Sequence, residues 1–237
     1  MRIALFSDIH GNAVAFDALL SDLERRPVDR LVCLGDAIQG GPQPRECVER
    51  LRDLGCPVVL GNADQEVLEQ DGELERWTRA QLSEDDLAFI RSFAATVELP
   101  GVLAFHGTPT SFDDVILPWT PEEEFQALLE GDDAPVLAGG HTHLQFVRRR
   151  GASLFVNPGS VGLAYDYAQP RERPRLDPWA EYAVVADEES VLSLEFRRVP
   201  FDPAEVVRAY ETSAIPGAER ADGWTSKEGL AKRASRR

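Results

Sequence analysis

The sequence is poor in the residues that build disulfide-stapled, membrane-spanning or secreted proteins. Its three cysteines are odd in number and show no C-x-x-C spacing, so neither a disulfide framework nor a zinc knuckle is indicated. No apolar run approaches the roughly 20 residues that span a bilayer. The first eight residues are too short an apolar run for a signal peptide. We therefore expect a cytoplasmic protein that does not enter a membrane.

Basic residues are also scarce. The chain has 25 Lys and Arg against 41 Asp and Glu, a formal net charge of −16, so its surface repels polyanions at long range. Nonspecific nucleic-acid binding is not expected, and a metal-stabilised nucleic-acid binder is disfavoured for the same reason. An anionic ligand would have to meet positive charge inside a pocket, supplied by a metal ion, by arginine or by both.

Apolar residues are plentiful, at 43% of the 237 residues, which is enough for the core of one domain. Through the first sixty residues, runs rich in Ile, Leu and Val alternate with stretches of helical periodicity. We predict strands over residues 2–7, 31–34 and 57–60, and helices over residues 13–26 and 44–54. Strands that alternate with helices of this length indicate a parallel sheet.

The second half of the chain has shorter strands and more turns. Strands are predicted over residues 98–99, 102–103, 136–138, 146–149 and 153–156, and a hairpin over residues 182–196. This pattern indicates a more antiparallel sheet, with helices over residues 85–95 and 203–212. Large aliphatic residues almost disappear beyond Pro216. We expect one domain over residues 1–215 and a mobile basic tail over residues 216–237.

All four histidines follow predicted strands in short motifs. These motifs are Ser7-Asp8-Ile9-His10, Phe105-His106-Gly107 and Gly140-His141-Thr142-His143. Gly35-Asp36 and Gly61-Asn62 follow the second and third predicted strands in the same way. Seven side chains with oxygen or nitrogen ligand atoms therefore stand at strand ends, the edge of an open α/β sheet at which ligands bind.

The spacing and chemistry of these motifs indicate a metal centre. Residues i and i+2 of an extended segment face the same side, so Asp8 with His10, and His141 with His143, could share one cavity. Oxygen and nitrogen ligands without thiolate suit Mn²⁺, Fe or Zn²⁺ rather than a structural zinc cage. Each motif alone has a plainer interpretation as a turn or a helix cap. The joint pattern, which uses every histidine, favours metal binding.

The complete series of motifs resembles that of the calcineurin-like metallophosphoesterases, over the first two-thirds of the chain. Gly40-Gly41-Pro42-Gln43-Pro44 and Asn157-Pro158-Gly159-Ser160-Val161-Gly162 resemble the small YfcE-type phosphodiesterase branch of that family. The resemblance implies an α/β fold, a four-layer α/β/β/α sandwich of two mixed sheets packed face to face. It also implies two divalent metal ions, with Mn²⁺ first and Fe, Zn²⁺, Ni²⁺ or Mg²⁺ as alternatives.

The resemblance further implies a role for each motif residue. Asp8, His10 and His143 would hold the first metal ion. Asn62, His106 and His141 would hold the second, and Asp36 would bridge the two. Asp36 and Asn62 would take part in catalysis, and Asn62 and His106 would also contact substrate. Asp64 is outside the motif set, but it lies two positions after Asn62 and we expect it to take part in catalysis as well. Asn157 and Ser160 match no ligand, and we expect their turn to support the backbone near the pocket.

The implied reaction is hydrolysis of a phosphodiester or phosphoanhydride bond of a small, nucleotide-type substrate by a hydroxide that bridges the metal ions. One position departs from the family pattern, because many members carry histidine directly after Gly-Asn and this chain has Ala63. General acid catalysis is worth about 10² to 10⁴ in rate, so its loss favours leaving groups of low pKa. Asp64 is then either a hydrogen-bond partner of a liganding histidine or the cap of the next helix.

Signals for the rest of the substrate are weaker. Four aromatic residues could stack on a nucleobase or simply pack: Phe112, Trp119, Tyr165 and Tyr167. Arg171, Arg173 and Arg175 could contact distal phosphates or form a solvated loop. Alternative functions are a phosphomonoester or protein phosphatase and a non-catalytic metal-binding scaffold of the same fold. The full set of seven ligands argues against the scaffold. The sequence specifies no oligomeric state.

Overall fold

The computed structural model describes residues 1–169, 175–188 and 191–225 of the chain. Its strands are β1 (Arg2–Phe6), β2 (Arg30–Cys33), β3 (Val97–Leu99), β4 (Val102–Ala104), β5 (Val136–Ala138), β6 (Gln145–Arg150), β7 (Ser153–Pro158), β8 (Trp179–Glu188) and β9 (Val191–Pro200). Its α-helices are α1 (Ala13–Arg25), α2 (Pro44–Leu54), α3 (Asn62–Glu69), α4 (Glu73–Ala80), α5 (Glu84–Arg91), α6 (Glu122–Leu128), α7 (Pro203–Ser213) and α8 (Asp222–Thr225). Within these ranges, none of the helices has the length and apolar character needed to cross a membrane.

The first sheet has the strand order β2-β1-β8-β9. β1 and β2 are parallel, as predicted, and β8 is antiparallel to both of its neighbours. The prediction that the β8–β9 hairpin belongs with the later strands is wrong. β8 is buried on both faces, since Ala183 and Val185 pack against the second sheet while Tyr182 and Val184 pack against helices. A strand buried on both faces needs an inner position, and the free edge of β1 provides one.

The third predicted strand, over residues 57–60, is not a full strand. Only two isolated bridges form there, Cys33 with Val58 and Val59 with Ala94. Pro57 has no N–H to donate and Gly61 already caps α3, so few residues are left to pair. The short helices α4 and α6 were not predicted, and α3 was predicted only as the helix that Asp64 would cap.

The second sheet has the strand order β3-β4-β5-β7-β6. Its three central strands β4, β5 and β7 are parallel, and only the edge strands β3 and β6 are antiparallel to their neighbours. The expectation of a more antiparallel sheet in the second half of the chain is therefore correct for the edges of this sheet and wrong for its centre. Because the central strands run in one direction, the loops after β4 and β5 emerge at the same edge.

Side chains that alternate along each strand create the layers. In β1, Ile3 and Leu5 face the second sheet, whereas Phe6 faces α1 and meets the ring of Phe16 at a centroid distance of 5.7 Å. On the far side of the second sheet, Phe155 packs edge-on against Phe125 of α6. Two mixed sheets thus pack face to face with helices outside, as the resemblance implied. Each buried Phe contributes roughly 1.5–3 kcal/mol of transfer free energy.

The described chain continues in regular structure past residue 216, the first residue of the tail that we expect to be mobile. A short 3-10 helix (Ala218–Ala221) and α8 continue the fold. Trp224 is 4% exposed, and its ring packs 5.4 Å from that of Phe201. Burial of one large aromatic side chain holds this segment against the domain. Residues 226–237, on which the rest of that expectation falls, lie outside the described residues.

Candidate metal centre

The candidate ligands lie on loops at the strand ends, in an unusual backbone conformation. Across the described residues, six non-glycine residues have positive φ, and five of them are Asp8, His10, Asp36, His141 and His143. The left-handed region costs about 1–2 kcal/mol for a residue with a Cβ. Such strain collects at functional sites, where the surrounding structure holds it in place. The idea that each pair lies on an extended segment is therefore wrong, and left-handed turns aim these side chains.

Hydrogen bonds between neighbouring loops keep the first two motifs in register. The backbone N–H of Asp8 donates to the Gly35 carbonyl at 2.9 Å, and that of His10 donates to the Asp36 carbonyl at 2.9 Å. The pairing continues the parallel contact of β1 and β2 beyond the sheet. Asp8 and Asp36, twenty-eight positions apart, are thereby placed side by side.

The first group of possible ligands consists of Asp8, His10 and His143. One ligand atom from each lies within 4.8 Å of the others. The Nε2 atoms of His10 and His143 are 3.0 Å apart, and Asp8 Oδ1 lies 3.3 Å from His143 Nε2. All three residues were predicted to hold the first metal ion. The structure brings them together.

The second group consists of Asp36, His106 and His141, whose ligand atoms also lie within 4.8 Å of one another. His106 Nε2 is 3.4 Å from Asp36 Oδ2 and 3.0 Å from Asn62 Oδ1. The ring centroids of His106 and His141 are 5.1 Å apart. The four residues predicted around the second ion are therefore neighbours.

Asp36 lies between the two groups. Its Oδ2 atom is 3.7 Å from His10 Nε2 in the first group and 3.4 Å from His106 Nε2 in the second. Its other oxygen, Oδ1, accepts a hydrogen bond of 2.9 Å from the Ala63 N–H. The carboxylate is thus held by the backbone through one oxygen and offers the other to both groups, which is the position a bridging ligand needs.

The histidine rings are oriented for metal binding. Nδ1 of His10 donates to the Gln39 carbonyl at 2.7 Å, Nδ1 of His106 to the Leu34 carbonyl at 2.7 Å, and Nδ1 of His143 to the Leu163 carbonyl at 3.2 Å. A proton on Nδ1 turns the Nε2 lone pair toward the cavity. The close Nε2 atoms of His10 and His143 must then share either a proton or a cation.

A buried carboxylate oxygen supports the same interpretation. Asp8 Oδ1 is fully buried and has no hydrogen-bond partner in the described part of the chain. An unsatisfied buried acceptor costs about 1–3 kcal/mol, and more when it is charged. A divalent cation among Asp8, His10 and His143 would satisfy it. The oxygen and imidazole donor set, free of thiolate, fits such an ion.

Burial and mutual attraction shift the ionisation of these groups. Burial raises the pKa of the Asp8 carboxyl group, but its interactions with His143 and His106 together outweigh burial and the net shift is downward. Burial lowers the pKa of His106, yet the Asp36 and Asp8 carboxylates outweigh burial and raise that pKa to about 10. Burial and the neighbouring His143 lower the pKa of His10. The Asp8 and Asp36 carboxylates therefore favour a positive charge between them. A divalent cation would supply that charge in place of a proton on histidine.

Asp64 supports the site through the backbone. Its Oδ1 accepts hydrogen bonds from the N–H groups of Ala37 at 2.9 Å and Ile38 at 3.3 Å, and its Oδ2 accepts one from Gly61 at 3.2 Å. The bond to Gly61 caps the start of α3, which agrees with the helix-cap alternative. These partners are backbone groups, so the alternative in which Asp64 bonds a liganding histidine is wrong. Asp64 is a positioning residue for the loop that carries Asp36.

Asn157 and Ser160 support two ligand loops, as expected. Asn157 Nδ2 donates to the Gly140 carbonyl at 2.6 Å, next to His141. Ser160 Oγ donates to the Asp8 carbonyl at 2.8 Å. Both side chains are fully buried, so they act on the pocket through the backbone.

Two supporting residues were missed in the sequence. Gln39, whose carbonyl accepts from His10, donates through its side chain to Glu66 at 3.0 Å and to Glu75 at 2.8 Å. Tyr210 of α7 donates its hydroxyl hydrogen to the Gly40 carbonyl at 3.0 Å. No local pattern reveals these contacts, because the partners are 27 to 170 positions apart.

The residues considered for distal substrate contacts divide into three sets. Tyr167 makes ring contacts with Trp119 on one side and Tyr165 on the other, and Tyr165 also meets His143. Phe112 is partly buried and has no ring partner among them in the described chain. Arg171 and Arg173 lie outside the described residues, and Arg175 is exposed.

Comparison with known proteins agrees with the geometry. The sequence profile of the calcineurin-like phosphoesterase superfamily domain matches residues 1–173. An uncharacterized protein of Methanocaldococcus jannaschii is 30% identical over 239 aligned residues, which cover 88% of this chain and 90% of that protein. Phosphodiesterase YfcE of Escherichia coli K12 is 28% identical over 176 residues, which cover 69% of this chain and 80% of YfcE.

Solved structures share the fold. A metallophosphoesterase from Sphaerobacter thermophilus superposes with a TM-score of 0.77 at 26% identity, covering 95% of this chain and 99% of that one. A hypothetical protein from Pyrococcus horikoshii gives the same TM-score at 20% identity, covering 91% of this chain and 94% of that one. With the profile match over residues 1–173 and the similarity to YfcE, the chain belongs to the calcineurin-like phosphoesterase superfamily, in its YfcE-type branch.

Proposed function

We propose that this protein is a metal-dependent phosphoesterase that hydrolyses phosphodiester or phosphoanhydride bonds of small, nucleotide-type substrates at a centre of two divalent ions. One observation carries the proposal. Two three-residue groups of ligand atoms, each within 4.8 Å, meet at the shared oxygen of Asp36. Asp8, His10 and His143 would hold one ion, and Asn62, His106 and His141 the other. Asp36 would contact both.

Two divalent ions in these positions would lower the pKa of a water molecule and offset the negative charge of a phosphoryl group. The chain's own residues prepare the site for that charge. Backbone carbonyls orient three imidazoles, and Ala63 holds one oxygen of Asp36 so that the other faces the cavity. Asn62 and His106 stand together at the second group, where a phosphate oxygen would enter. This local positive charge would let a chain of net charge −16 bind an anionic substrate.

The choice of diester over monoester rests on two supports. YfcE, the similar E. coli protein, is named a phosphodiesterase. In addition, Ala63 occupies the position after Gly61-Asn62 where an acid for difficult leaving groups would stand. A phosphomonoester or protein phosphatase is the second candidate function, and a non-catalytic scaffold is the third.

We propose Mn²⁺ as the first metal to test, with Fe, Zn²⁺, Ni²⁺ and Mg²⁺ as alternatives, because the ligand atoms are oxygen and imidazole nitrogen without sulfur. We also propose that the protein works in the cytoplasm. Its three cysteines are free, and Cys33 and Cys47 are buried, which suits a reducing compartment.

Metal loading and turnover test the proposal together. The protein is stripped with a chelator and reloaded with Mn²⁺, and both bound metal per chain and hydrolysis of bis(4-nitrophenyl) phosphate are measured. We expect two ions per chain and activity only with metal. Asp36→Asn should lower the rate by roughly 10³-fold or more, since stabilisation by metal is worth several kcal/mol.

The matched control is Asp53→Asn, which makes the same chemical change at an exposed position. It should leave metal content and rate unchanged. Two bound ions without hydrolysis of any phosphoester would favour the scaffold instead. An Asp36→Asn variant with wild-type turnover would place the reaction elsewhere.

A further inference from the structure

Three aromatic rings form a row that starts at a candidate metal ligand and ends in solvent. The ring of Tyr165 lies 6.0 Å from that of His143, edge to face at 63°. Tyr167 lies 6.3 Å from Tyr165 with the planes inclined by 28°, and Trp119 lies 4.9 Å from Tyr167 at 61°. We call Trp119, Tyr165 and Tyr167 the aromatic row.

The outer end of the row is open. Trp119 is 57% exposed, although a tryptophan side chain gains more from burial than almost any other. Exposed apolar surface beside polar groups often marks a binding site. The row also joins two separate parts of the chain, since Trp119 precedes α6 and the tyrosines follow the turn that contains Ser160. Only the fold brings these rings together, beside His143.

The position of the row suggests what would bind it. A phosphorus atom held at the two ligand groups would lie next to His143, so a substituent of that phosphate could extend along the rings. Aromatic faces bind flat ring systems by stacking, and stacking on a base is worth about 1–3 kcal/mol. Stacking requires no positive charge from the protein, which suits a chain of net charge −16. Alkyl or sugar groups would gain much less.

We propose that the aromatic row binds the nucleobase of a nucleotide substrate whose phosphate lies at the metal centre, an inference that rests on the proposed phosphoesterase function. Every base has a π face, so the row selects for the presence of a base and only weakly for its identity. Trp119 is the outermost ring and the one with the most free surface. Its face is therefore the one most accessible to an incoming base.

Two ligands that differ only in the base test this proposal. Adenosine 5′-monophosphate and ribose 5-phosphate are titrated into the Mn²⁺-loaded protein, and the dissociation constants are measured by calorimetry. We expect the adenosine compound to bind about tenfold more tightly. Uridine 5′-monophosphate should bind within about threefold of it, because stacking tolerates either base.

Variants at position 119 assign the preference to the row. Trp119→Ala should remove the preference for the base and leave binding of ribose 5-phosphate unchanged. Trp119→Phe, which keeps a ring, should retain most of it. Because Trp119 is largely exposed, both variants should unfold at nearly the wild-type temperature. Quenching of tryptophan fluorescence by adenosine 5′-monophosphate, present in the wild type and lost in Trp119→Phe, gives a readout independent of turnover.

The outcomes separate this inference from the proposed function. Equal affinity for both ligands in the wild type, or a base preference that survives Trp119→Ala, overturns the proposal that the aromatic row binds the base. Neither result contradicts the proposed phosphoester hydrolysis. If neither ligand binds the metal-loaded protein, both proposals fail: phosphate binding at the metal centre and base binding by the aromatic row. Loss of ribose 5-phosphate binding in Trp119→Ala would also count against the row, since Trp119 would then act on the phosphate site.

Discussion

Gly61→Ala should disturb the candidate metal centre through a single added methyl group. Gly61 precedes α3 with φ of −93°, a conformation that alanine adopts without strain. The position is buried, however, and a Cβ there would meet the backbone nitrogen and Oδ1 of Asp36 more closely than the 3.0 Å that real Cβ atoms respect. Asp36 would have to move, and it is the residue shared by both ligand groups.

Two opposing effects set the size of the change in stability. Replacing glycine by alanine at a compatible φ stabilises a protein by about 0.4–1 kcal/mol, because it lowers the conformational entropy of the unfolded chain. Overpacking a rigid site destabilises it by about 1–3 kcal/mol, and here the atoms in the way include backbone. The net loss should be about 1–2 kcal/mol. For a chain of this size, that loss lowers Tm by about 2–8 °C.

The effect on metal binding should be larger than the effect on stability. Disturbing the support of a metal ligand typically lowers affinity or activity by about 10–100-fold. The assays are thermal unfolding of the metal-free protein, calorimetric titration with Mn²⁺ and hydrolysis of bis(4-nitrophenyl) phosphate. We expect the Mn²⁺ dissociation constant to rise and the hydrolysis rate to fall by that factor.

Gly55→Ala is the control. Gly55 follows α2 in the left-handed conformation, with φ of 59°, and a Cβ there would meet no atom of the described residues within 4 Å. The strained φ should cost about 1–2 kcal/mol of stability, as expected for Gly61→Ala, without moving a candidate ligand. This variant should therefore keep the Mn²⁺ affinity of the wild type. If Gly61→Ala raised Tm and bound Mn²⁺ as tightly as the wild type, the close approach of Gly61 to Asp36 would not matter and the reasoning would fail.

Three further predictions follow from single contacts. Because Ala63 supplies no acid, hydrolysis rates across phosphodiesters should fall steeply as the leaving-group pKa rises; a flat dependence would contradict this. Tyr210→Phe removes the hydrogen bond to the Gly40 carbonyl, next to the Gln39 carbonyl that orients His10. This change should lower the free energy of unfolding by about 1 kcal/mol in denaturant titrations and weaken Mn²⁺ binding. Unchanged Mn²⁺ binding would show that the contact from α7 does not affect the metal centre. Burial raises the pKa of Glu181 from 4.5 to about 7 despite the nearby Arg198. A pKa raised by folding stabilises the protein below the unfolded pKa, and this stabilisation is lost as pH rises through the folded pKa. The unfolding free energy of the wild type, measured relative to Glu181→Gln, should therefore drop between pH 5 and 8 by up to about 3 kcal/mol, at about 1.4 kcal/mol per pKa unit; a constant difference would show that Glu181 titrates normally.

Much of the fold could be predicted from local patterns. The Pro44–Leu54 helix has proline at its first position and apolar residues at helical spacing, and both of its ends were predicted correctly. The Val136–Ala138 strand is a short, fully buried apolar run between loops, and its bounds were also correct. The residues that were misassigned lie where pairing depends on distant partners. Val58 and Val59 form only isolated bridges, although their composition is typical of a strand.

The motifs allowed the candidate site residues to be identified, but the predicted reason for their convergence was wrong. Asp-x-His and His-x-His suggested extended segments, whereas Asp8, His10, His141 and His143 all have left-handed backbones. A left-handed residue with a Cβ cannot be predicted from propensity, because its cost is offset only by the surrounding hydrogen bonds. The bond from the Ser160 hydroxyl to the Asp8 carbonyl is one of these, and it joins positions 152 residues apart.

The sequence by itself determined the kinds of atoms available for chemistry and the order in which strand ends would carry them. Residue type and short-range periodicity are local properties, so the histidine motifs, the main helices and the family could all be recognised in a linear string. Tertiary structure alone decided that β8 would pair with β1, that Asp36 would face both ligand groups, and that Trp119 would stand beside Tyr167. These contacts join residues that are far apart in the chain, so they depend on which faces of the two sheets are buried and not on any local pattern.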